Sequence, residues 1–120
     1  MPNLTLEYTA NLPAVDLAAV LAECNRAAAD SGQFTEIDIK SRAVRVDDFV
    51  IGTEPGDRGF VYVTFALLAG RSPEVKRDLS QRLQTVLQKH FVAPQGLTLQ
   101  IAVEMRDMER DTFIKVTHTG

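Results

Sequence analysis

A proline at position 2 stands directly before the run Asn3–Tyr8, in which Leu4, Leu6 and Tyr8 alternate with Asn3, Thr5 and Glu7. That is the period of a half-buried strand. If Met1 is cleaved, Pro2 becomes the first residue and carries a free secondary amine. A strand that begins at its own amino group can hold that group rigidly, and an amine held that way can act as a base. The bland alternative is a residue without an N–H, tolerated at a strand's first position.

Three cations stand out by position. Lys40 and Arg42 are two apart on a strand-like stretch, so they share one face. Arg71 precedes Ser72-Pro73-Glu74, a helix-start signature, and helix N-termini favour anions. An arginine there adds a two-point fork for a carboxylate. Lys40 and Arg42 read equally as surface charges on an exposed strand face, and Arg71 as an ordinary loop residue.

Other reactive side chains lack partners. His90 and His118 have no neighbour at metal-ligand spacing, and Asp47-Asp48 reads first as a solvated turn. The single cysteine, Cys24, excludes an internal disulfide and a Cys-rich zinc site. It lies among alanines and leucines, as a buried, inert thiol does. No nucleophile elbow, phosphate loop or HExxH pattern occurs.

The elements that must position these residues follow in order. After Asn3–Tyr8, Leu17, Val20, Leu21, Cys24, Ala27 and Ala28 keep helical spacing within 14–29, capped by Asp16 or Asn11 and stopped at Ser31-Gly32. A second strand is expected over 36–46, with Ile37 and Ile39 on one side and Asp38, Lys40 and Arg42 on the other. Val44 and Val46 break that parity, which suggests a bulge near Ala43. The polar stretch 47–59, with Gly52, Pro55 and Gly56, reads as a loop.

The second half repeats the first. Phe60–Leu68 is a β-favouring run, a capped helix extends from Pro73 to about Phe91, and Leu97, Leu99, Ile101, Val103 and Met105 alternate as a fourth strand. A charged link from Arg106 leads to a short β-like tail, Phe113–Val116. The expectation is a single α/β (α+β) domain over 1–120. Its parts are a first βαβ unit over 1–46, a loop over 47–59, a second unit over 60–105 and a tail over 106–120. Two tandem units make a four-stranded mixed sheet with both helices on one face. A ferredoxin-like domain has the same element order, and periodicity does not separate the two. The bare sheet face needs a cover, so an oligomer is expected, with the tail bridging to a neighbour.

The totals narrow the class. With 120 residues, 45% apolar and 24% charged, the composition is that of one globular domain. No run is long and apolar enough to span a bilayer, and the N-terminus lacks a signal peptide's pattern, so a cytoplasmic protein with no membrane partner is expected. A formal charge of −3 argues against nucleic acid but leaves room for an anionic small molecule in a locally cationic cleft.

Pro2 opening a strand, Ile39-Lys40-Ser41-Arg42, and Phe60-Val61-Tyr62-Val63-Thr64 running into Ala69-Gly70-Arg71-Ser72 together resemble the 5-carboxymethyl-2-hydroxymuconate isomerases of the tautomerase superfamily. The likeness runs from Pro2 through Phe91. It implies two βαβ units per chain, a homotrimer, and no metal or organic cofactor. It implies a general base at the amino-terminal proline, here Pro2, and carboxylate binding by Lys40, Arg42 and Arg71. The implied substrate is a small anionic dienol from homoprotocatechuate breakdown. Lys40 departs from an arginine in the family, which keeps the charge and loses the planar grip. That departure leaves open a broader keto-enol tautomerase acting on phenylpyruvate-like keto-acids. A non-enzymatic oligomeric ligand-binding module, with Met1 retained and Pro2 inert, is the third reading.

Overall fold

The computed structural model describes residues 1–120. Strand β1 (Asn3–Thr9) is followed by helix α1 (Leu17–Asp30), a single 3-10 turn at Glu36–Asp38, and strand β2 (Lys40–Val46). Strand β3 (Arg58–Leu68), helix α2 (Pro73–His90) and strand β4 (Thr98–Met108) form the second half.

The sheet order is β2-β1-β3-β4. Strands β1 and β2 pair in parallel, as do β3 and β4, while β1 and β3 join the halves antiparallel. The two strands of each unit are therefore direct neighbours. A ferredoxin-like arrangement splits them with another strand, so the pairing decides against it. The antiparallel join brings the start of β1 beside the end of β3, with Asn3 opposite Ala66.

Alternation places Leu4 and Leu6 of β1 and Val61, Val63, Phe65 and Leu67 of β3 on the helix side, all fully buried. They meet Val20, Cys24 and Ala28 of α1 and Leu79, Leu83 and Leu87 of α2 in one cluster of 14 residues. Both helices thus cover one face. Asp16 caps α1 by accepting from Ala19 N at 3.1 Å, which settles the choice between Asp16 and Asn11. Ser72 Oγ caps α2 by accepting from Val75 N at 3.3 Å, with Pro73 in the first turn.

Several boundaries differ from expectation. Residues 36–38 turn as a 3-10 helix instead of joining β2, so Ile37 is 73% exposed while Ile39 is buried. Ladder pairing keeps β2 in unbroken register with β1 from Lys40 to Val46, without a bulge. Val44 simply stands on the open face, 44% exposed. Strand β4 continues through Arg106 to Met108, because its ladder with β3 runs on to Leu68. The second unit therefore extends beyond residue 105 into the stretch expected as tail. Residues 113–116 form no strand here; Lys115 instead ties to Asp38.

Candidate functional site

One end of the sheet gathers the start of β1, the start of β2 and the ends of β3 and β4. Pro2 lies there with its side chain fully buried. Lacking an N–H, it offers the backbone only its carbonyl, which accepts from Lys40 N at 3.2 Å. Beside it, Met1 Sδ accepts from Asn3 Nδ2 at 3.7 Å.

The Met1 amine reports the field at this end. Burial lowers its pKa below the ordinary 8.0, and Lys40 lowers it further. Asp38 opposes them, and Lys115 and Arg71 add to the lowering. A nearby cation disfavours an ammonium, so these groups surround the chain end with net positive potential.

Arg71 is held from several sides. Its Nε donates to Gln33 Oε1 at 3.3 Å, its Nη2 to Gln33 O at 3.1 Å and its Nη1 to Leu68 O at 3.2 Å. Its guanidinium lies 4.6 Å from the centre of the Phe34 ring, which packs on Phe65 at 5.7 Å between centroids. The cation is thereby fixed to the core through two aromatic rings. Burial, and then Arg110, depress its pKa below the ordinary guanidinium range.

Lys40 begins β2 and donates through Nζ to Asp38 O at 2.5 Å. Asp38 in turn takes Lys115 Nζ at 2.7 Å, and that contact, outweighing the opposite effect of burial, holds the carboxyl below the usual carboxylate range. Asn25 supports this corner: its Nδ2 donates to Ile39 O at 3.2 Å, and its Oδ1 accepts from Ser41 Oγ.

Arg42 lies elsewhere. It stands on the open sheet face, where Nη2 donates to Asn3 Oδ1 at 2.8 Å and Nη1 reaches Thr5 Oγ1 at 3.5 Å. It is not among the cations that lower the Met1 amine. The structure thus brings Pro2, Lys40 and Arg71 to one end and sets Arg42 aside, linked to that end through Asn3.

Sequence spacing missed Asp38, Arg110 and Lys115. Arg110 Nε donates to Ala69 O at 2.5 Å, next to Gly70, whose φ of +124° favours glycine. The one linear signal, for Arg110, was the charged link after the last strand. No group of three or more His, Cys, Asp or Glu side chains is placed to hold a metal ion. His90 lines a separate apolar cavity of about 290 Å³ with Leu12, Pro13, Phe91 and Leu99. Cys24 is buried, and its thiol is pushed up to about 12 by burial and by Glu23.

Two tandem βαβ units whose sheet is centred on the amino-terminal strand, with cations around the chain end, define a tautomerase-superfamily protomer. The chain belongs to the 5-carboxymethyl-2-hydroxymuconate isomerase family, which it matches over residues 2–118. It is 30% identical over 94 residues to the 5-carboxymethyl-2-hydroxymuconate Delta-isomerase of Escherichia coli, covering 78% of this chain and 75% of that protein. A crystal structure of a 5-carboxymethyl-2-hydroxymuconate isomerase from Deinococcus radiodurans R1 superposes with a TM-score of 0.83 at 32% identity, covering 98% of this chain and 90% of that one. A fused 4-OT protein described as a symmetric trimer shares the fold at a TM-score of 0.73 and 17% identity, covering 91% and 87% of the two chains. The chain is therefore an isomerase-type enzyme.

Proposed function

We propose that the protein, after loss of Met1, isomerises a dienol polycarboxylate such as 5-carboxymethyl-2-hydroxymuconate, with the Pro2 nitrogen as general base. The observation that carries this reading is the convergence of Lys40 and Arg71 on the chain's amino end, where the amine's pKa is lowered. Removing Met1 uncovers Pro2 and moves the free amine one residue inward, under the same cations.

The proton account closes. Neutral Pro2 N takes the enol O–H proton as the C–O double bond forms and the conjugated double bonds shift. The protonated amine then returns that proton to the distal carbon, and the base is regenerated. A base for this transfer works best with a pKa near neutrality. The cations that depress it also hold the substrate carboxylates and stabilise negative charge on the dienolate. Lys40 and Arg71 take these roles, and Arg42 contributes from the open face.

The same reading includes a homotrimer assembled through the open sheet faces. Phe60, Tyr62, Thr64 and Ala66 of β3 lie half-buried on the face opposite the helices. Only 17 of 120 residues are buried in the single chain, a thin core whose second sheet face calls for a cover.

The test compares ketonisation of a dienol diacid by wild type and Pro2→Ala. A fall in kcat of about a hundredfold or more is expected from loss of the positioned secondary amine. Equal rates, or intact mass showing Met1 on the active protein, reject the mechanism.

A further inference from the structure

We propose that Arg110, on the segment after β4, is a substrate-binding residue that forms with Arg71 a two-arginine site for one carboxylate of a dicarboxylate ligand. This deepens the functional reading above and rests on its anionic substrate.

The two guanidiniums come from distant parts of the chain and anchor on consecutive carbonyls at the end of β3. Arg71 Nη1 donates to Leu68 O at 3.2 Å and Arg110 Nε donates to Ala69 O at 2.5 Å. Arg71 commits Nε and one N–H on each of its other nitrogens to the protein. Arg110 commits only Nε, which leaves both terminal nitrogens, the pair that grips a carboxylate two-fold, without a protein partner.

Neither arginine forms an ion pair, although Glu109 and Asp111 flank Arg110 in sequence. Two unneutralised like charges side by side, one of them partly buried, repel each other, and a shared anion relieves that repulsion. Gly70 sits between the anchors with a φ of +124°, a backbone conformation that other residues rarely adopt. A second tether, Lys115 Nζ to Asp38 Oδ1 at 2.7 Å, holds the same segment against the amine end. The segment after β4 thus brings Arg110 beside Arg71 and Lys115 to the amine end.

Adipate, a saturated dicarboxylate that cannot tautomerise, tests binding apart from chemistry. Calorimetric titration of the full chain is expected to give a Kd at least roughly tenfold weaker for Arg110→Gln, the scale of a lost charge-assisted contact. Arg110→Lys, which keeps the charge and loses the fork, is expected to fall between. With a dienol diacid, Arg110→Gln raises KM while kcat stays within about twofold. Wild-type affinity in a folded Arg110→Gln protein overturns the proposal, as does absence of adipate binding by wild type. If Arg110→Gln does not fold, wild-type affinity in Arg110→Lys overturns it instead. Arg110-dependent adipate binding that persists in Pro2→Ala supports this site even if the dienol reaction fails, so the two readings fail separately.

Discussion

At the scale of single residues, the chain's amine lies among cations, and the titration of the proposed base has a defined sign. Burial and Lys40 lower the amine's pKa, so the neutral, proton-accepting form persists to lower pH. With the burial and cations that act on the Met1 amine acting equally on the proposed Pro2 amine, isomerase activity is expected to rise with pH and level off below the ordinary 8.0 of an α-amino group. A pH–kcat/KM profile checks this, and an inflection above 8.0 contradicts it. Under the proposed carboxylate-binding role, Arg71→Ala is expected to raise KM for a dienol diacid roughly tenfold, with a smaller change in kcat, as charge-assisted contacts are lost. Steady-state kinetics at saturating substrate separate the two effects. Cys24 shows the opposite case. A thiol pushed up to about 12 and fully buried is not nucleophilic near neutrality. Maleimide labelling is expected only in denaturant, and rapid labelling of the native protein would contradict that.

At the scale of elements, two helices hold the sheet end in shape. Helix α2 is capped by Ser72, directly after Arg71, so the cap also fixes the arginine's backbone. Ser72→Ala is expected to cost about 1 kcal/mol, the usual worth of such a cap. Leu83, fully buried between α2 and the sheet, should cost about 2–5 kcal/mol on truncation to Ala. Urea unfolding with an unchanged m-value measures both. Between the helices, Glu23 of α1 meets Lys89 Nζ at 3.1 Å, and His90 Nε2 lies at the same distance. Lys89 first and His90 second hold the Glu23 carboxyl below the usual range. A depressed carboxylate pKa contributes stability above the unfolded value, and that stability is lost as pH falls through the folded value. The melting-temperature gap between wild type and Glu23→Gln should therefore be present at neutral pH and close in acid below 4.5.

For the whole molecule, the distribution of burial is the main fact. The helix side of the sheet carries the core, while the other side carries a polar lattice. There Tyr62 donates to Glu104 at 2.7 Å, Arg106 pairs with Glu104 at 3.2 Å, and Arg42 reaches Asn3. Its radius of gyration is 15.6 Å, above the roughly 13.6 Å of a compact chain this long. An extended protomer with one uncovered sheet face fits the proposed association. Thr64 stands mid-face, opposite Thr5 on one side and Glu104 on the other. Thr64→Arg is expected to shift the proposed trimer toward monomer and to lower activity with it. Sedimentation equilibrium reads the mass, and an unchanged trimer would remove the open face from the interface.

Read along the chain, local periodicity determined the two helices, the four strands and the duplicated order. Those patterns depend on neighbours three, four or two residues away. Ser72-Pro73-Glu74 marked a helix start, and Leu4-Leu6 marked a buried strand face, because capping and alternation are local. The 3-10 turn at Glu36–Asp38 escaped, since Ile37 and Ile39 mimic strand spacing while only tertiary contacts bury one of them. The mixed sheet of two tandem units was legible, but its register was not: β1 joins β3 through a ladder between residues more than fifty positions apart, and no local signal encodes it. The site divides the same way. Pro2, Lys40 and Arg71 could be named from residue type, flanking pattern and family likeness. That Lys40 and Arg71 reach the chain end while Arg42 turns onto the open face depended on the pairing of β1 with β2 and β3. Arg110 and Lys115 return to that end through contacts with Ala69 and Asp38, which lie 41 and 77 residues away in sequence. Only the folded chain brings such distant charges together, because their meeting depends on where β4 stops and how the segment beyond it lies.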